Sequence, residues 1–221
     1  MKVKKLSFSH ASKIVALLCV SGLLFLGFTQ VKGQQAMAQL QQMPLLLEVP
    51  ALQQSRGTSC GEAVIATVYN YIYPEVPITE QQVIDFAAAN GYYTEDLYPY
   101  TSPANMVKIA EYYSDEVSSG NVFTSRQGLA LLTANLRQGD PVIIDVLSDF
   151  TNPESEAHFI VVTGVSVDTT RGNAVVIHYN DPLTGLQAAA DWLGPQGVWN
   201  AWQTNGDPGG AGWWLVISRP E

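Results

Sequence analysis

The chain predicts an α+β fold with helices first and strands after. Apolar residues recur at helical spacing from residue 60 to about 138, and the period shortens to β-branched runs after Gly139. Proline, glycine and capping residues fall at the changeovers. Strands that follow one another this way pair mostly antiparallel.

The first helix is predicted over 60–73, with Val64, Ile65, Val68 and Ile72 on one face and Pro74 closing the run. Thr79 and Gln82 form a capping box for the second, with Ile78 and Val83 as a hydrophobic staple. Val83, Phe86 and Ala87 face inward there, and Gly91 stops the helix. Ser102-Pro103 opens a third, with Met106, Ile109, Ala110 and Tyr113 inward. The fourth covers 125–138, striped by Leu129, Leu132 and Leu136 and ended by Gly139. Strands are predicted at 142–147, 159–167, 174–179 and 213–218. Residues 194–212, rich in Gly, Asn and Pro, read as a long loop whose Trp199 and Trp202 either anchor packing or cover a cleft.

Residues 1–38 read as an export signal. Lys2, Lys4, Lys5 and Lys13 precede or open an apolar run over 14–28, and Ala36-Met37-Ala38 supplies a cleavage site. The run is short of the roughly 20 residues that span a bilayer. An uncleaved anchor is the alternative, and the one route by which a membrane enters the account. Residues 39–47 then form a short tether, and 48–221 a single domain. With Lys2, Lys4, Lys5, Lys13 and Lys32 removed, the mature chain keeps 6 basic against 20 acidic residues, a net charge of −14. It is expected outside the cytoplasm, and its acidity argues against nucleic acid and anionic membrane surfaces as partners. Nothing in the sequence speaks to oligomeric state.

Without the leader one cysteine remains, Cys60. A lone thiol in an exported chain is either an intermolecular link or a working group. It stands at a predicted helix start within Gln54-x5-Cys60-Gly61, where the helix dipole favours a thiolate. His10 belongs to the leader, which leaves His158 and His178. Suppose the second and third strands form a hairpin with its tip between Thr169 and Thr170. Counting back then sets Val162 against Ile177, Ile160 against Tyr179 and His158 against Asp181, near enough for carboxylate to meet imidazole. His178 alternates onto the opposite face and reads as structural.

Together these residues complete an acyl-transfer constellation. Cys60 is the candidate nucleophile, His158 the base and then the acid, and Asp181 the orienting group. Gln54 and the Cys60 N–H are the candidate oxyanion donors, with spacing alone selecting Gln54 over Gln53. Glu62, in the first helical turn, reads as a structural, helix-favouring residue whose side chain can point to solvent, with at most a modest penalty on thiol reactivity. One Cys and two His without close spacing do not make a usual zinc site. No glycine cluster follows a strand and opens a helix as a dinucleotide loop requires. The residues therefore argue against a usual zinc site and against a dinucleotide loop.

Five motifs in order carry a resemblance. They are Val49-Pro50, Gln54-x5-Cys60-Gly61, Leu136-Arg137-Gln138-Gly139-Asp140-Pro141-Val142-Ile143, His158-Phe159-Ile160-Val161-Val162-Thr163-Gly164 and Asn180-Asp181-Pro182. Over roughly residues 48–218 the chain resembles the secreted stand-alone relatives of the double-glycine-leader (bacteriocin-processing) peptidases, in the papain-like cysteine peptidase superfamily. The resemblance implies a helical half carrying Cys60 packed on an antiparallel sheet carrying His158 and Asp181, with the active cleft between them. It also implies thiol peptidase chemistry on a peptide or protein substrate without a cofactor. Glu62 stands where relatives often have a small residue or proline. No transporter accompanies the domain, so cleavage after Gly-Gly coupled to export is not carried over. The same triad would serve an acyltransferase, transpeptidase or amidase, and a non-catalytic binding protein keeping the fold is the alternative of a different class.

Overall fold

The computed structural model describes residues 44–220, and the predicted leader lies outside the described residues. The sheet begins inside the predicted tether. Leu45–Leu46 (β1) pairs antiparallel with Val165 and Gly164, and the Leu47 N–H donates to the Thr163 carbonyl at 2.8 Å. Three successive leucines have apolar surface to bury, which a solvated tether would leave in water.

Cys60–Ile72 (α1) is the central helix. Every residue from Gly61 to Val68 is buried, so it is covered on all sides rather than along one stripe. Glu80–Ala89 (α2) starts at the Thr79–Gln82 capping box, and Pro103–Tyr113 (α3) starts where Ser102 accepts from the Asn105 N–H. Ser125–Gln138 (α4) ends at Gly139, whose φ of 88° is the left-handed conformation of a helix C-terminus.

The strands are Val117–Asn121 (β2), Val142–Leu147 (β3), Ala157–Asp168 (β4), Ala174–Asp181 (β5), Leu186–Asp191 (β6) and Trp213–Ile217 (β7). With β1 they form a seven-stranded antiparallel sheet in the order β2-β7-β3-β4-β5-β6, β1 lying against β4. Val64, Ile65 and Val68 of α1 meet Ile84, Met106 and Ile109 of the neighbouring helices, and Ile143, Phe159, Val161 and Leu215 of the sheet. The residues alternating with these, Ile144, Val146, Ile160 and Val162, are equally buried, so both faces of the sheet are covered.

The predicted loop over 194–212 contains a short helix, Val198–Thr204 (α5), and its tryptophans are anchors. Trp192, Trp199 and Trp202 meet with ring centroids 5.6–6.3 Å apart, around the space left by Gly128 of α4. Trp202 is fully buried and its Nε1–H donates to the Trp213 carbonyl at 2.6 Å.

The β4–β5 hairpin departs from the predicted register. A 3₁₀ turn, Thr169–Arg171, lengthens the tip, so Asp168 faces Ala174 and Val165 faces Ile177. A bulge between Val162 and Gly164 then shifts the ladder by one residue, so that Val162 faces Tyr179 and Val161 faces Asn180. Asp181 therefore follows the ladder opposite Ile160, and His158 is its diagonal neighbour instead of its direct partner. The longer tip moves the register by three and the bulge returns one. The even remainder keeps Asp181 on the face of His158, because facing alternates with every residue.

Candidate active site

Cys60 is the first residue of α1, half-buried, and its N–H has no intrahelical acceptor. Gly61 lets the helix settle deeply, since a Cβ there would lie 2.7 Å from Met106 Sδ. The Ser59 side chain does not cap the helix. Its hydroxyl donates instead to Glu80 Oε1 at 2.6 Å, and the Ser55 N–H donates to the same carboxylate at 2.9–3.0 Å. Glu80, at the N-terminus of α2, thus fixes both ends of the loop leading into Cys60. Arg56 in that loop pairs with Glu95 and donates to Gln81.

Gln54 is half-buried on the same loop. Its Nε2 donates to the Arg56 carbonyl at 2.6 Å, an acceptor that fixes which end of the amide is nitrogen. One N–H of the amide is thereby used, and among the described residues the second has no acceptor. Gln53 is exposed and reaches toward the Leu183 carbonyl at 3.4 Å. Two further bonds tie this segment to the end of β5: Gln54 N–H to the Pro182 carbonyl at 2.8 Å, and Asn180 Nδ2 to the Val49 carbonyl at 2.9 Å. The Asn180-Asp181-Pro182 motif is therefore joined to Val49 and to Gln54, each time through a backbone acceptor.

His158 is buried near the start of β4, with Nε2 2.7 Å from Asp181 Oδ1. Its imidazole also interacts with the Cys60 thiol. Burial alone would lower its pKa, but hydrogen bonds and charge from Asp181 and Cys60 outweigh burial and push it up to about 9. For Asp181 burial raises the pKa, and the stronger combined pull of His158, the Leu183 N–H and Thr184 leaves it below the usual carboxylate value. The structure thus brings Cys60, His158 and Asp181 into one chain of contacts. His178 lies on the other face of β5 from Asp181, 2.8 Å from Ser166 Oγ.

Glu62 corrects the expectation of a solvent-pointing side chain. It is fully buried, accepting from Thr101 Oγ1 at 2.7 Å while Oε2 has no hydrogen-bond partner among the described residues. The central position of α1 leaves it no exposed side to occupy. Burial, partly offset by the Thr101 bond, pushes its pKa up to about 7.

Three buried acidic residues escape the sequence reasoning. Glu80 is hidden within a capping box that reads as purely local. Asp145 stands in the middle of the apolar strand Val142–Leu147, and a charged residue at that place is the signal that could have found it. Asp207 falls in the loop before β7, and together with Thr58, Cys60, Tyr100, Ala157 and Phe159 it lines a small open notch. Among the described residues no group of three or more His, Cys, Asp or Glu side chains is arranged to hold a metal ion.

The model of the Peptidase_C39 like family matches residues 46–207, which run from β1 to Asp207 and include all four candidate site residues. No curated protein sequence matches the chain.

Proposed function

The chain belongs to the Peptidase_C39 like family, and from that premise we propose that it is an exported thiol hydrolase that cuts peptide bonds through Cys60, His158 and Asp181, with Gln54 as an oxyanion donor. The observation that carries the reading is the position of the His158 imidazole, shared between the Asp181 carboxylate at 2.7 Å and the Cys60 thiol.

The chemistry follows from that position. His158 takes the thiol proton, and the resulting imidazolium is stabilised by Asp181. The thiolate attacks the scissile carbonyl carbon, whose oxygen takes the negative charge. The free N–H groups of Gln54 and Cys60 serve as donors to that oxygen, a contribution of about 3 kcal/mol per donor in comparable sites. The intermediate collapses as His158 protonates the departing amine, leaving an acyl-enzyme thioester. Water, activated by the now neutral imidazole, attacks the thioester and releases the acid and the thiol. Export is part of the proposal through the signal features of residues 1–38.

The test is cleavage of a mixed peptide library followed by mass spectrometry, for wild type and Cys60→Ala. Hydrolysis products in wild type that the variant lacks are expected. Equal hydrolysis by a folded Cys60→Ala protein contradicts the assignment.

A further inference from the structure

We propose that the notch beside Cys60 is a cation-binding subsite in which Asp207, backed by Asp145, receives a protonated amine or guanidinium of the substrate. The proposal rests on the thiol hydrolase reading above and deepens it to a substrate class.

Asp207 lines the same notch as the thiol, is 6% exposed, and its Oδ1 has no hydrogen-bond partner among the described residues. Behind it Asp145 is fully buried, and among the described residues neither of its carboxyl oxygens accepts a hydrogen bond. A buried carboxylate without a partner opposes folding, so of two side by side one is expected to keep its proton while the other calls for a compensating cation.

Their placement is built into the fold. Asn205 Nδ2 donates to the Asp145 carbonyl at 2.8 Å, and Asn205 Oδ1 accepts the Asp207 N–H at 3.3 Å. Gly210 leaves room for the loop to close on the pair, since a Cβ there would collide with Asp145 Oδ2 and Asn205 Oδ1. Nothing about packing alone requires carboxyls there.

The pair presents one negative charge. Burial first, and Asp207 second, hold Asp145 well above the usual carboxylate range, so it keeps its proton and can donate it toward Asp207. Burial pushes Asp207 up to about 6, which leaves it mostly ionised at neutral pH. The cation acting on Asp145 is His158, already committed to Asp181. Among the described residues Asp207 forms no ion pair. A substrate cation is the missing partner. The rings of Tyr98, Tyr100 and Phe159 along the notch suit the aliphatic stem of such a group and the cation itself.

The first experiment measures modification of Cys60 in the full chain by cationic 2-aminoethyl and anionic 2-sulfonatoethyl methanethiosulfonate. The cationic reagent is expected to react about tenfold faster or more with wild type. The ratio should fall severalfold in Asp207→Asn, and stay in Asp207→Glu and in the exposed control Glu111→Gln. Equal rates in wild type overturn the subsite whatever the variants do, and an unchanged ratio in folded Asp207→Asn does the same. These outcomes leave the hydrolase reading untouched, whereas a thiol inert to both reagents contradicts that reading and the subsite with it. Paired peptide substrates then separate the sources of the cation. Preference for lysine over norleucine beside the cut assigns a side chain, and preference for a free over an acetylated N-terminus assigns a terminal amine. No preference in either pair overturns the proposal.

Discussion

His158 and Asp181 touch through 2.7 Å although they are diagonal and not opposite in the β4–β5 ladder. A diagonal pair is spaced about 7–8 Å at Cα, a gap that imidazole and carboxylate can bridge. Asp181 is also held by the Leu183 N–H, which donates to the same Oδ1 at 2.9 Å. The carboxylate therefore arrives oriented.

Asp181→Asn removes the charge that supports the imidazolium. His158 sits at about 9, above its unfolded value near 6.5, so its contribution to stability is complete below pH 6.5 and lost as pH rises through 9. The variant should lose that contribution, and the stability gap between wild type and variant should shrink across this window. In activity, the alkaline limb of kcat/KM should move to lower pH and kcat should fall by about 10²-fold or more. A pH profile superimposable on wild type would show that Asp181 does not act on His158.

Gln54→Ala should lower kcat by about 10²-fold with little change in KM, as removal of an oxyanion donor does. Steady-state kinetics on any cleaved peptide gives the split. An effect confined to KM would place Gln54 in substrate binding instead.

Glu62 carries a pH-dependent cost. Its pKa rises from an ordinary 4.5 to about 7 on folding, so the folded state binds the proton more tightly than the unfolded chain. Its stabilising effect is present below pH 4.5 and lost as pH climbs to 7. The difference corresponds to about 3 kcal/mol. Glu62→Gln keeps an acceptor for Thr101 and never ionises. It should match wild type in denaturant unfolding at pH 4 and exceed it at pH 8, whereas equal stability at both would mean that Glu62 is solvated.

Glu80→Ala should disorder the loop from Ser55 to Ser59, because it strands two donors of that loop. A loss of about 1–3 kcal/mol in stability is expected. Thiol alkylation should continue, while kcat drops about tenfold as Gln54 loses its fixed place. Unchanged kcat in the variant would leave Glu80 a purely structural residue.

Much of the architecture was legible because local signals agreed with tertiary demands. The Thr79–Gln82 box, Ser102-Pro103 and Gly139 each mark a helix end found there in the structure. The strands that went unseen are β1, which lies in the predicted tether, and β2 and β6, which lie at the two edges of the sheet. Val117 is the one large apolar residue of β2 and Leu186 of β6, so neither alternates in hydropathy. The hairpin tip was misplaced because Asp168 to Gly172 fits several turn lengths, and the bulge at Thr163 has no signature in a run of β-branched residues. At the site, residue types at fixed spacing pointed to Cys60, Gln54, His158 and Asp181. The burial of Glu62, Asp145 and Asp207 depends on how distant segments pack, which no spacing along the chain encodes.

The most direct test is the rate of Cys60 alkylation by iodoacetamide against pH, for wild type and His158→Ala side by side. A paired imidazole keeps thiolate available in wild type, so alkylation should stay fast well below pH 8, and the variant should lose this reactivity. Slow alkylation with the same pH dependence in both proteins would mean that Cys60 and His158 do not work together, and would contradict the account.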